Sequence, residues 1–168
     1  RNMEGMSARA LEFVILTAAR SGEVRGARWS EFDLQEGVWQ CPGERMKAGK
    51  DHRVPLSPAA LGVLNSLHRI QGEDLVFTSP RGGPLSDMSL VALVRRMGVN
   101  AVPHGFRSTF RDWASENTNH PREVAEMALA HTIGNAVEAA YRRGDLFAKR
   151  KEMMDDWACY CAEADPED

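Results

Sequence analysis

The chain has 168 residues, 43% of them apolar and 27% charged, the balance of one ordinary globular domain with a sizeable core, which excludes collagenous, low-complexity and disordered classes. Its longest apolar stretch, Phe13 to Ala19, is far short of the ~20 residues that a membrane-spanning helix needs, and no basic-then-apolar leader opens the chain, so a soluble, unexported protein is expected. The net charge of −3 is unevenly spread: residues 150–168 hold seven acids against two bases and residues 1–149 hold 19 bases against 17 acids, a weakly basic body that is compatible with nucleic acid without pointing to it.

Apolar residues at Ala10, Leu11, Val14, Ile15 and Ala18 recur at helical spacing and predict an amphipathic helix to about Arg20, broken by Ser21-Gly22. A short helix from about Glu23 to Trp29 follows. Val38 to Cys41 and His52 to Pro55 read as strands of an antiparallel hairpin, with Lys47-Ala48-Gly49-Lys50 at its turn. Ser57-Pro58 starts the next helix, with Ser57 as N-cap and Leu61, Leu64 and Leu67 as its buried stripe. Leu75-Val76-Phe77 is a short extended piece and Pro80 to Pro84 a loop. Ser86 caps a helix to about Met97, Pro103 precedes one from His104 to about Glu116, and Pro121 opens one to about Leu129. Gly134-Asn135 separates this from a helix containing Tyr141, and Gly144-Asp145 restarts the chain into a last helix to about Ala162. The fold class is α+β, mainly helical with a small antiparallel hairpin, in a single domain over residues 1–168. The chain opens on Arg1 rather than Met, which is expected of a piece of a longer protein.

Taken singly, the residues that can carry chemistry all have bland explanations. His104 and Arg107 lie three apart at a predicted helix start, with Arg111 one turn on, a face that suits a phosphate but also suits solvent. Arg20 complements the end of an apolar helix. Lys47 and Lys50 are ordinary turn residues, and His131 ends a helix rich in Ala and Leu. Tyr141 and Tyr160 are the only tyrosines, and aromatic packing explains the second, beside Trp157. His52, His68 and His120 read as surface or capping residues. Cys41, Cys159 and Cys161 cannot all pair within the chain and lack zinc-site spacing, so reduced thiols are expected.

The order carries more than any single residue: Arg20 in TAARSGEVRGARW, Lys47 eight residues before Pro55 in MKAGKDHRVPLS, HGFR at 104–107, His131, then Tyr141. In this order and at these separations the chain resembles the catalytic domain of the tyrosine recombinases, the phage and genomic-island integrases, from about Ser7 to Tyr160. The resemblance implies metal-independent cleavage and rejoining of DNA strands through a 3′-phosphotyrosine, with no cofactor. It implies Arg20 and Arg107 on the non-bridging oxygens, a role that favours a bidentate guanidinium, and Tyr141 as nucleophile. A phenol with a reference pKa of ~10 needs its proton accepted as it attacks. His104 is the candidate base, with His131 as the alternative or as a further phosphate contact. Lys47 would protonate the leaving 5′-oxygen, Glu23 would orient Arg20, and Lys50 and Arg111 would contact DNA. The implied partners are double-stranded attachment sites and, in a full-length protein carrying N-terminal DNA-binding domains, a homotetramer on DNA, in the cytoplasm. Three alternatives remain at this stage: topoisomerase IB-like relaxation, a non-catalytic helical DNA-binding module, and a metal-dependent hydrolase, for which the five histidines lack ligand spacing.

Overall fold

A computed structural model describes residues 3–131 and 144–163 of the chain. Helix α1 (Met6–Thr17) buries Ala10, Leu11, Phe13, Val14, Leu16 and Thr17, the stripe its periodicity predicts, and runs through the middle of the fold against most of the other helices. It ends three residues before Arg20 because Ala18 turns left-handed at φ 49°. The next helix, α2 (Ser21–Arg25), is earlier and shorter than the expected Glu23 to Trp29. Gly26 closes it, and Trp29–Glu31 forms a separate single turn of 3-10 helix.

The sheet has three antiparallel strands in sequence order, β1 (Phe32–Asp33), β2 (Val38–Cys41) and β3 (His52–Pro55). Val38 faces Pro55 and Cys41 faces His52, so the predicted hairpin is present, with the two-residue β1 added at its edge. Lys47 and Lys50 are exposed on the 42–51 connection. That connection folds back on itself at Gly43, where a Cβ would lie 2.8 Å from the Gly49 carbonyl oxygen, and Asp51 Oδ1 accepts from the Gly43 amide at 2.8 Å. Arg45 grips both oxygens of Glu31 at 2.6 and 2.5 Å and fastens the base of the connection to the body.

Helix α3 (Pro58–Asn65) starts as the sequence predicts, with Pro58 in the first turn and Ser57 Oγ accepting from the Ala60 amide at 3.3 Å. Its buried face is Ala60, Val63 and Leu64, while Leu61 and Leu67 are only half-buried. The 75–77 segment pairs with the chain after α2, the Val76 amide donating to the Ala27 carbonyl at 2.9 Å. Helix α4 (Met88–Arg96) begins two residues after the expected cap: Ser86 Oγ lies 2.9 Å from Ser89 Oγ, and no side chain caps the helix. Helices α5 (Gly105–Glu116) and α6 (Arg122–Ala128) fall within a residue of expectation. The last, α7 (Phe147–Glu163), packs in cis, with Met153, Met154 and Trp157 at 0%, 1% and 2% exposure.

Two apolar clusters result. One gathers α1, α3, α4 and the sheet around Phe13, Trp39 and Phe77. The other gathers α5, α6 and α7 around Phe110, Trp113 and Trp157. They meet at α1, where Trp157 Nε1 donates to the Ile15 carbonyl at 2.8 Å.

Candidate active site

The C-terminal ends of α1 and α6 converge on one side chain, Arg107. Its guanidinium donates through one terminal nitrogen to the Ala18 carbonyl and through the other to the Leu129 carbonyl at 2.6 Å. Both carbonyls sit at helix ends, where partial negative charge gathers and no intrahelical amide remains to take it up, so two helix termini solvate one buried cation. The residue is 5% exposed. Burial, then the like charge of Arg20, push the group down to about 10, with Glu23 opposing. Two of the five N–H donors of a guanidinium are thus committed to protein carbonyls, and any anion meets Arg107 through the little that stays exposed.

Arg20 is the more open of the two cations. It follows the left-handed turn at Ala18 and sits at the N-terminus of α2, with 24% of its side chain exposed. Glu23 holds it twice: Oε2 accepts from the Arg20 backbone amide at 2.9 Å and Oε1 from its guanidinium at 2.7 Å. With only 7% of its side chain exposed, the carboxylate is a fixed partner that leaves the outer edge of the guanidinium to solvent. The charge of Arg20 acts on Arg107, so the two arginines are near in space although 87 residues separate them in sequence.

Around this pair, His104 is exposed immediately before α5 and its side chain caps nothing. His131 lies just past α6, on the far side of a left-handed Ala130 (φ 49°). Its Nδ1 is 2.7 Å from Glu126 Oε2, and Arg111 Nε donates to Glu126 Oε1 at 2.7 Å. Tyr141 lies outside the described residues, as do the Gly134-Asn135 break and residues 164–168. Tyr160 is 39% exposed and stacks on Trp157, with ring centroids 5.6 Å apart. Among the described residues no group of three or more His, Cys, Asp or Glu is placed to hold a metal ion.

Two further basic residues escaped the sequence reading. His52 is half-buried on β3 rather than a surface residue. Burial, then the Arg150 charge, lower it to about 4, against weaker opposing effects of the Ala128 backbone and the Glu23 and Asp145 carboxylates. The two-residue repeat of a strand, which puts His52 on the face of buried Val54, is the signal that finds it. Arg150 is 1% exposed. It donates to the Asp145 carbonyl and to Asp145 Oδ2 at 2.7 Å each, and to the Arg53 carbonyl at 2.5 Å. Asp145 is also held by Arg53 Nε and its terminal nitrogen at 3.0 and 2.8 Å. His120, read as a surface or capping residue, pairs with Asp156 at 2.8 Å and ties α7 to the 117–121 loop.

A mainly helical domain with a three-stranded sheet and a buried arginine between helix ends has the fold of the tyrosine recombinase catalytic domains. It superposes on the integrase from mycobacterium phage Brujita with a TM-score of 0.70 at 18% identity, covering 91% of this chain and 52% of that one. It superposes on XerA recombinase with a TM-score of 0.57 at 21% identity, covering 92% and 63%. Residues 3–145 match the Phage integrase family, and the chain belongs to it. It is 36% identical to prophage integrase IntA of Escherichia coli K12, over 95% of this chain and 40% of that protein. It is 32% identical to the integrase of enterobacteria phage P4, over 90% and 39%. The chain therefore spans about 40% of the length of these relatives.

Proposed function

We propose that residues 1–168 are one catalytic domain that cuts and rejoins DNA strands in site-specific recombination, as in prophage integration and excision. What supports this reading is that Arg20 and Arg107 lie close enough for the charge of one to act on the other, and that each is held by fixed acceptors. Fixed donors aimed at the developing charge of a five-coordinate phosphorus need no reorganisation as the reaction proceeds.

In the proposed reaction the Tyr141 phenol oxygen attacks the scissile phosphorus and gives its proton to His104. Arg20 and Arg107 hold the non-bridging oxygens, and His131 adds a hydrogen bond to one of them. The P–O5′ bond breaks as the Tyr141 bond forms, and Lys47, carried on the exposed connection between β2 and β3, protonates the 5′-oxygen. The phosphodiester energy is kept in the phosphotyrosyl bond, so a second 5′-hydroxyl reverses the step without ATP. Glu23 orients Arg20, and Lys50 and Arg111 contact the DNA backbone. No metal or cofactor enters the scheme. The substrate is a pair of duplex attachment sites, and the assembly a homotetramer on DNA in the cytoplasm. A solved relative of the same fold is a lambda integrase dimer bound to a COC′ core site, and no helix among the described residues is long and apolar enough to cross a membrane. Relatives named integrase and tyrosine recombinase do not favour topoisomerase-like relaxation or a non-catalytic DNA-binding module.

The test is a covalent trap. The chain is incubated in EDTA at low salt with a library of nicked suicide duplexes of randomised core sequence, from which the short released strand bearing the 5′-hydroxyl diffuses away. A protein–DNA adduct mapping to Tyr141 by mass spectrometry is expected, lost in Tyr141→Phe and retained in Tyr160→Phe. Absence of any adduct from the unaltered chain, or its retention in Tyr141→Phe, overturns the proposal.

A further inference from the structure

Glu126 joins two residues that the sequence singles out separately. Oε2 meets Nδ1 of His131 and Oε1 accepts from Nε of Arg111, both at 2.7 Å, so one carboxylate on α6 links α5 to the residue just beyond α6. The backbone repeats the connection. The His131 amide donates to the Glu126 carbonyl at 3.0 Å and the Ala130 amide to the Met127 carbonyl at 3.1 Å, the paired bonds of a helix closed by a left-handed residue. His131 is thereby held to Glu126 by main chain and side chain together. Burial acts to raise the Glu126 carboxyl, but the His131 and Arg111 hydrogen bonds and the Arg111 charge outweigh it and hold the group below its ordinary value. Ionised, it can only accept, so the proton between the pair belongs to Nδ1.

We propose that Glu126 is a positioning residue, committing Nδ1–H of His131 and balancing the charge of its imidazolium, the form whose Nε2–H donates to a DNA phosphate oxygen, while setting Arg111 on the same rim. This rests on the reading of His131 as a phosphate contact. A half-exposed histidine, with 41% of its side chain accessible, otherwise samples several rotamers and both neutral tautomers. Glu126, with only 17% of its side chain accessible, removes that freedom before DNA arrives. The same carboxylate takes Nε of Arg111 and leaves the terminal nitrogens of that guanidinium for a phosphate.

A double-mutant cycle on single-turnover cleavage of the trapped duplex separates positioning from bulk structure. Glu126→Ala is expected to slow cleavage roughly tenfold, the worth of one well-placed hydrogen bond, and to slow it no further in a His131→Ala background. Glu126→Gln keeps an acceptor for Nδ1–H and is expected to restore most of the rate. Additive losses in the double variant overturn the proposal. A second readout needs no activity: nitrogen-15 spectra of the free protein are expected to show His131 protonated at Nδ1, with the Nε2–H tautomer emerging in Glu126→Ala. An unchanged tautomer also overturns it. If the tautomer moves but His131→Ala leaves cleavage intact, the pairing stands and the catalytic reading of His131 fails.

Discussion

Ala18 and Ala130 stand where a helix commonly hands over to glycine. Both adopt φ 49°, and the Ala18 carbonyl and the Leu129 carbonyl just before Ala130 are the two that hold Arg107. A left-handed L-residue carries a steric cost of roughly 1–2 kcal/mol that glycine avoids, against about 0.4–1 kcal/mol lost to the greater freedom of glycine in the unfolded chain. Ala130 is half-buried, so Ala130→Gly is expected to stabilise the fold by about 0.5 kcal/mol. Ala18 is 2% exposed, and losing its buried methyl costs ~0.8 kcal/mol, so Ala18→Gly is expected to be neutral to slightly destabilising. Urea midpoints at constant slope measure both, and equal shifts for the two variants would refute this division. The turn at Ala18 also explains why the end of α1 was not legible in the sequence. Without glycine at position 18, the pattern carried α1 on to Arg20, and only the backbone reveals the left-handed turn at Ala18 whose carbonyl holds Arg107.

At the scale of elements, the joint between β3 and α7 rests on a charged cluster. Arg150 is buried among Asp145 and the Arg53 carbonyl, and Asp145 answers two guanidiniums. Removing one partner of such a cluster strands the others, a loss of about 3–5 kcal/mol. Arg150→Ala is therefore expected to lower the unfolding free energy by that amount. Arg150→Lys, which keeps the charge but cannot fork to three acceptors, is expected to recover only part of it. Denaturant unfolding followed by far-ultraviolet dichroism checks the ranking, and an Arg150→Ala variant within 1 kcal/mol of the parent, roughly the scale of an exposed pair, would place the cluster among ordinary surface contacts. The buried stripe of the last helix contains this residue as well: Arg150 lies three, four and seven positions before Met153, Met154 and Trp157. An apolar stripe gives no reason to include an arginine, because its acceptors lie outside the helix, on Asp145 just before it and on the distant Arg53 carbonyl. Lys47, in contrast, was legible on its connection because a hairpin turn is a local object whose geometry follows from the residues within it.

Over the whole molecule, the packing of β3 against α7, with Ala128 of α6 and Glu23 of α2 acting on His52, is expected to make stability sensitive to mild acid. His52 stands at that junction, lowered to about 4, whereas an unfolded histidine titrates near ~6.5. Between these values the unfolded chain binds a proton that the folded chain refuses, so stability is fully present above the unfolded value and declines as pH falls toward 4. The depressed carboxyls of Glu126 and Asp145 lose their contribution only as pH falls below the ordinary carboxylate range. His52 is thus the expected source of a loss that starts near neutrality. The difference in bound protons, about half of one at pH 6.5 and nearly one at pH 5, corresponds to about 1.5 kcal/mol over that interval. Urea unfolding at stepped pH should show that decline in the parent chain and a nearly flat line in His52→Gln over the same interval. Should the variant fall as steeply as the parent, the acid sensitivity belongs to another group and His52 does not sit dry at the junction. The two apolar clusters share α1 and are tied across it by Trp157 and Arg107, so protonation at one joint is expected to weaken both. Tryptophan emission, from Trp113 and Trp157 in one cluster and Trp29 and Trp39 in the other, should then report the same midpoint as the helical signal at every pH.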